Sequence, residues 1–65
     1  MKVIVNGETM KTRARNLDDL VAALGFTDAK IATAINGDFV PATAREETRL
    51  SENDAIEIVT PRQGG

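Results

Sequence analysis

Apolar positions along this chain fall into short runs that are separated by turn residues. The run from Met1 to Val5 is rich in β-branched residues and predicts a strand, and the more polar run from Glu8 to Arg13 predicts its return. Asn6-Gly7 lies between them, and this pair is the strongest short-range hairpin signal because both turn residues need a positive φ. Alternation along the two runs then gives the inward side chains. These are Val3, Val5 and Met10.

The apolar spacing changes to that of a helix after Asn16. Asn16 is a good N-cap, and Asp19 occupies the third helical position, as in a capping box. We therefore interpret the Asp18-Asp19 pair as a cap at the positive end of the helix dipole rather than as a catalytic carboxylate pair. Gly25 suits the left-handed residue that ends such a helix. The apolar stripe, at intervals of three and four, consists of Leu17, Leu20, Val21 and Leu24.

A second hairpin is predicted in the middle of the chain. Ile31 to Ile35 is a third strand, Asn36-Gly37 is a second tight turn, and Phe39-Val40 is a short return. Pro41 ends that return because it cannot donate to a strand ladder.

The remaining residues supply a polar segment and one more strand. Residues 42–53 are polar, and Leu50 is their expected anchor to the core. Ala55 to Val59 alternates and predicts the last strand, with Ile56 and Ile58 on one face. A charge run within the polar segment is interpreted as a solvated loop. It consists of Arg45, Glu46, Glu47 and Arg49.

These elements together predict an α+β domain with one helix packed on one face of a sheet. The first strand is apolar enough to be central, the last strand can pair parallel to it, and the helix crosses the sheet between them. That is the ubiquitin-like β-grasp fold, here with a mixed sheet of four to five strands. We predict one domain over residues 1–60 and a flexible tail over residues 61–65.

Composition restricts the classes of function. The chain has 65 residues, with no Cys and no His, so thiolate chemistry and the commonest general base and metal ligand are missing. We therefore expect no catalytic residue, no bound metal and no bound cofactor. The net charge of −2 comes without a basic stripe, which argues against nucleic acid as a partner. No long apolar segment and no leader pattern are present, so we expect a cytoplasmic protein with no membrane partner, monomeric when free.

The last residues suggest a chemistry that a partner performs. Pro61 should end the sheet, and Arg62 and Gln63 then lead to Gly64-Gly65. Glycine lacks a Cβ, so this end can pass through a narrow channel and bring the terminal carboxylate of Gly65 to a distant active site. That carboxylate can attack the α-phosphorus of ATP, and a sulfur donor can then displace AMP to leave a thiocarboxylate. The alternative interpretation is a frayed end or a cloning remnant.

The sequence resembles the ThiS family of sulfur carriers over essentially its whole length. The most specific parts are the Ala-Ile-Asn-Gly-x-x-Val-Pro stretch and the terminal glycine pair. One departure is Ala42, where ThiS proteins often have Arg. This difference concerns one contact with a partner and not the class of protein. The segments that carry the resemblance are residues 3–8, 17–24, 34–41, 53–59 and 64–65.

The resemblance implies a sulfur carrier for the thiazole of thiamin. A ThiF-like adenylyltransferase would activate Gly65 with ATP and magnesium, which belong to that partner's site. A cysteine desulfurase would be the ultimate source of sulfur, and a ThiG-like thiazole synthase would receive it. Gly64, Gln63 and Arg62 would be threaded into the partners' active sites.

A candidate docking surface lies on the sheet face away from the helix. The alternative is that these are scattered surface apolar residues, which need no explanation. Ile4 and Val59 are expected to be neighbours on paired strands. The residues expected on this face are Ile4, Ala32, Ala34 and Val59.

Three other functions share the expected fold. A MoaD-like carrier for molybdopterin would use the same tail chemistry, although the length and the Ile-Asn-Gly-x-x-Val-Pro stretch favour ThiS. A ubiquitin-like modifier would join Gly65 to target lysines. A plain interaction domain, such as an RNA-binding TGS-like module, would need the basic face that the sequence lacks.

Overall fold

A computed structural model describes residues 1–26 and 30–60 of the chain. Residues 27–29 and 61–65 lie outside the described residues, and so does the tail that the sequence predicts. The elements, in chain order, are strands β1 (Lys2–Val5) and β2 (Glu8–Lys11), helix α1 (Leu17–Ala23), strands β3 (Ala32–Ile35) and β4 (Asp38–Val40), a 3₁₀ turn (Ala42–Ala44) and strand β5 (Ala55–Val59).

The five strands form one mixed sheet in the order β2-β1-β5-β3-β4. Strands β1 and β5 pair parallel, with Val5 opposite Ile56, while the other neighbours are antiparallel. The β-grasp prediction is confirmed, including the parallel pairing of the first and last strands. The middle position belongs to β5, and β1 lies beside it with a neighbour on each side.

Both predicted Asn-Gly hairpins are present. Asn6 has φ 49° and Gly7 has φ 85°, and Asn36 and Gly37 have φ 48° and 87°. Both turn residues are therefore left-handed, as a two-residue turn between strands of natural twist requires. The turns fix the strand registers, which pair Val5 with Glu8 in the first hairpin.

Helix α1 begins as its cap residues predict. Oδ1 of Asn16 accepts a hydrogen bond from the backbone N of Asp19 at 2.7 Å, which satisfies one of the free donors of the first turn. Gly25 follows the helix with φ 91°. A helix of seven residues is too short to be stable alone, so its packing on the sheet must hold it.

The core lies between α1 and one sheet face. Leu17 is fully buried and Leu20 is 1% exposed, and full burial of such a side chain contributes about 1.5–3 kcal/mol. Leu50 is buried, as predicted. Alternate residues of β1 and β5 complete the layer, so the pattern of inward residues is confirmed. The buried apolar residues are Val3, Val5, Leu17, Leu20, Val21, Val40, Leu50, Ile56 and Ile58.

The polar segment differs from its prediction at Arg45. The interpretation of Arg45 as part of a solvated charge run is wrong, because Arg45 is half-buried and bonded to β3 and the residue before it. The segment also begins with a 3₁₀ turn at Ala42–Ala44 that no sequence signal indicated. Three predicted strands are slightly shorter than expected, since β1 begins at Lys2, β2 ends at Lys11 and β3 begins at Ala32.

Candidate functional site

Strand β5 carries the chain from the centre of the sheet toward its last residues. Val59 is the last residue of β5 and pairs with Ala32 of β3. One further described residue, Thr60, precedes the five that carry the predicted chemistry. The residues expected to enter partner active sites lie outside the described residues. They are Arg62, Gln63, Gly64 and Gly65.

The sheet face away from α1 carries the four residues expected to dock a partner. Ile4, Ala32 and Ala34 are half-buried, and Val59 is 58% exposed. Strand register explains why they share a face, because directly paired residues project to the same side. Ala32 pairs with Val59, Ala34 pairs with Glu57, and Ile4 pairs with Ala55. We name this surface the open face and define it by seven residues. They are Ile4, Ala32, Ala34, Phe39, Ala55, Glu57 and Val59.

Ile4 and Val59 are not partners in the strand ladder. Ile4 is opposite Ala55, which lies four residues before Val59 on β5. Their strands are paired, as expected, and the parallel register places Ile4 against the beginning of β5. Both residues nevertheless line one shallow depression beside the Asn6-Gly7 turn, together with Glu57.

Phe39 belongs to the open face, and the sequence analysis did not assign it there. It pairs directly with Ala34 in the second hairpin and is 69% exposed. With Val59 it lines a second shallow depression on this face, and Glu57 lies between the two depressions because it lines both. The signal was available, since a two-residue Asn36-Gly37 turn already fixes Ala34 opposite Phe39.

Each Asn-Gly turn also bonds β5 through the side chain of its asparagine. Nδ2 of Asn6 donates to the carbonyl oxygen of Ile58 at 3.0 Å, and Oδ1 of Asn6 accepts from the backbone N of Ile58 at 2.8 Å. At the other end of the strand, Oδ1 of Asn36 accepts from the backbone N of Ala55 at 3.0 Å, while its Nδ2 donates to Oδ1 of Asp54 at 3.0 Å. The strand that leads to residues 61–65 is therefore held near both ends.

Residues 1–26 and 30–60 are the part of the chain that the structure describes. This part of the chain contains no cluster of three or more acidic, His or Cys side chains that could hold a metal ion. It also contains no helix of the length and apolarity needed to cross a membrane.

Comparison with known proteins gives a matching family and matching solved structures. The model of the ThiS family matches residues 3–65. The crystal structure of the thiamine biosynthesis protein ThiS from Geobacter metallireducens is 26% identical, with a TM-score of 0.84, and the match covers 100% of each chain. A solution NMR structure of a thiamine biosynthesis protein from the same organism is 25% identical, with a TM-score of 0.79, over 100% of this chain and 88% of that one. A search of curated proteins finds no match.

Proposed function

Because this chain belongs to the ThiS family, we propose that it is a sulfur carrier for thiamine biosynthesis and a substrate of partner enzymes rather than an enzyme. In this proposal residues 1–60 are a folded body and residues 61–65 are a flexible tail. In the form that the partners activate, Gly65 bears the terminal carboxylate. That carboxylate is the group on which the partners act.

One observation supports the proposal above the others. The strand that leads to residues 61–65 is the middle strand of the sheet, and its last residue, Val59, projects from the open face. An enzyme that docks on the open face would therefore also be close to the end of β5, where the chain leads into the tail. The family match extends through residue 65, so the terminal glycines belong to the matched region.

The proposed activation needs no catalytic group from this chain. A carboxylate oxygen of Gly65, ionised at neutral pH, attacks the α-phosphorus of ATP. A new phosphorus–oxygen bond forms, pyrophosphate leaves with the electrons of the broken bond, and Gly65 becomes an acyl-adenylate. A ThiF-like enzyme would supply ATP, magnesium and the electrostatic stabilisation of this step. The absence of side chains on Gly64 and Gly65 lets the backbone enter that site closely.

Sulfur transfer follows from the acyl-adenylate. A sulfur nucleophile, ultimately derived from cysteine through a desulfurase, adds to the acyl carbon of Gly65. AMP leaves with the electrons of the broken carbon–oxygen bond, and the sulfur stays on the acyl carbon. When the nucleophile is a persulfide of the donor, a thiol then attacks the donor's own sulfur in the acyl disulfide, so that a disulfide forms on the donor and the thiocarboxylate is released. A ThiG-like thiazole synthase would then take the sulfur for the thiazole ring.

The open face is the proposed docking surface for these partners. Phe39 and Val59 are the most exposed large apolar side chains on it, and the small Ala32 and Ala34 between them leave the surface shallow. Glu57 adds a negative charge in the middle of this apolar surface. A partner that fits would present apolar side chains around a Lys or Arg opposite Glu57.

A MoaD-like role in molybdopterin synthesis is the second candidate, because it would use the same tail and the same fold. Supplying the thiocarboxylate form either to a thiazole synthase or to a molybdopterin-forming enzyme separates the two. We expect sulfur to reach the thiazole product only. Transfer to the molybdopterin precursor alone would replace the thiazole assignment while retaining the carrier assignment.

Adenylation tests the proposal at its first step. The full chain is incubated with its cognate ThiF-like enzyme, magnesium and ATP, and exchange of labelled pyrophosphate into ATP is measured. We expect exchange with the full chain and none after deletion of Gly65. The deletion should leave the unfolding temperature unchanged, because the buried apolar cluster lies within Val3 to Ile58. Exchange that persists without Gly65 would refute the assignment of the activated carboxylate.

A further inference from the structure

Where β1 ends, the side chain of Asn6 makes hydrogen bonds to β5 that a neighbouring strand would otherwise make. The parallel pairing of β1 with β5 stops at Val5 opposite Ile56, but β5 continues to Val59. The backbone N of Asn6 makes one more strand-like bond, donating to the oxygen of Ile56 at 2.9 Å. The carboxamide of Asn6 then accepts from the N–H of Ile58 and donates to its carbonyl oxygen, which are the two bonds that Ile58 would receive if β1 continued beside it.

These two bonds satisfy polar groups that are shielded from water. The Ile58 residue is 5% exposed, and both of its bonds to Asn6 are partly buried. A shielded backbone N–H or C=O that loses its partner costs free energy, so the end of β5 would tend to separate from the sheet without them. On its other side β5 remains paired with β3 through Val59 and Ala32. With the Asn6 side chain present, the last residues of β5 are therefore hydrogen-bonded on both sides. Without it, they are bonded only to β3.

We propose that Asn6 is a positioning residue for the tail. It keeps Ile58 and Val59 in the plane of the sheet, so that the chain leaves β5 at Thr60 from a fixed point. When the end of β5 is already ordered in the free protein, binding does not have to supply the free energy that orders it. The productive complex is then more stable. This inference rests on the proposed carrier function, because it concerns how the tail is presented to the activating enzyme.

Asn36 provides a matched control. It has nearly the same φ as Asn6, lies in the same kind of turn and makes two side-chain bonds of the same length range, but at the beginning of β5. Glycine tolerates a positive φ, so Asn6→Gly and Asn36→Gly each remove the side chain without straining the turn. Both variants lose two hydrogen bonds, and only the first loses them next to the tail.

The test combines amide hydrogen exchange with adenylation kinetics on the full chain, at a temperature where circular dichroism shows every variant folded. We expect Asn6→Gly to speed exchange of the Ile58 amide about tenfold, the factor for loss of one hydrogen bond of ordinary strength. We expect the KM of the chain in adenylation to rise about three- to tenfold with kcat unchanged, since only the ordering step is affected. Asn36→Gly should leave both quantities close to those of the wild type.

A second variant keeps the test decisive if Asn6→Gly does not fold. Asn6→Asp retains an oxygen to accept from the Ile58 amide but replaces the donor with an oxygen that faces the Ile58 carbonyl, so its KM should exceed that of the wild type. Equal KM values for the wild type and the Asn6 variants, or an equal rise in Asn36→Gly, would overturn the inference while leaving the carrier function intact. A wild-type chain that is not adenylated at all would instead refute the proposed function.

Discussion

Nε of Arg45 donates a hydrogen bond to Oγ1 of Thr33 at 3.0 Å, and that hydroxyl donates in turn to the carbonyl oxygen of Val40 at 2.7 Å. A second guanidinium nitrogen of Arg45 donates to the carbonyl oxygen of Ile31 at 2.8 Å. One side chain of the polar segment thus ties together β3, its preceding residue and, through Thr33, the edge strand β4. Strands β3 and β4 support half of the open face, so this contact concerns the docking surface as well as stability.

Replacing Arg45 with Ala should destabilise the domain. The change removes two charge-assisted bonds and leaves the partly buried carbonyl of Ile31 without this donor, so the free energy of unfolding should fall by about 1–3 kcal/mol. Arg49 is the matched control, because it is an exposed arginine of the same segment, and Arg49→Ala should change that free energy by less than about 0.5 kcal/mol. Urea unfolding followed by circular dichroism measures both. Equal losses in the two variants would show that the Arg45 contacts are not stabilising.

Thr33 and Arg45 should also be energetically coupled. Thr33 is 1% exposed, and valine has nearly its shape and suits a strand, so Thr33→Val removes the hydroxyl with little change in packing. In a double-mutant cycle with Arg45→Ala, the two losses should fall short of additivity by about 0.5–2 kcal/mol, because each change removes the same bond. Strict additivity would mean that the hydroxyl and the guanidinium act independently.

The cap of helix α1 should contribute measurably to stability. Asn16→Ala removes the acceptor of the Asp19 amide and should lower the free energy of unfolding by about 1 kcal/mol. Asn16→Asp retains a side-chain acceptor at the same position and should preserve most of that free energy. Thermal unfolding of the two variants side by side gives the comparison, and an Asp variant as unstable as the Ala variant would exclude the cap as the cause.

Local signals were sufficient for most of the fold. The Asn-Gly pairs predicted two turns because few residues adopt a positive φ twice in succession, and the last strand, Ala55–Val59, was predicted from Ile56 and Ile58 on one face. The helix cap followed from the spacing of Asn16 and Asp19. Each of these features depends on residues that are close together in sequence, which is why the sequence alone predicts them.

Contacts between distant residues account for what the sequence analysis missed. Arg45 lies among charged residues, and its role depends on Thr33, twelve residues earlier, so its surroundings in sequence suggest only solvent. The side chain of Asn6 meets Ile58 at a separation of 52 residues, and this contact is determined by the parallel pairing of β1 and β5. The four candidate docking residues share a face as predicted, whereas the ladder partner of Ile4, which is Ala55, depends on a register that strand order does not determine.

Charge on the open face should weaken activation and spare the fold. Val59→Asp and Phe39→Asp each introduce a carboxylate at a position where the native side chain is more than half exposed. The free energy of unfolding should therefore change by less than about 1 kcal/mol. In pyrophosphate exchange, the KM for each variant should rise about tenfold or more, as loss of a well-packed interface residue predicts. Ala22→Asp, on the exposed side of α1, is the control and should leave the KM unchanged. Unaltered KM values in both open-face variants would exclude this docking surface.

Intact-mass analysis shows whether Gly65 is made into a thiocarboxylate. The full chain is incubated with ATP, magnesium, its cognate ThiF-like enzyme and a sulfur donor, beside a chain that lacks Gly65. We predict replacement of one oxygen by one sulfur in the full chain, located at Gly65 by fragmentation, and no change in the shortened chain. An unchanged mass with an enzyme shown to be active, or a product joined through Gly65 to the lysine of another protein, would rule out the carrier function.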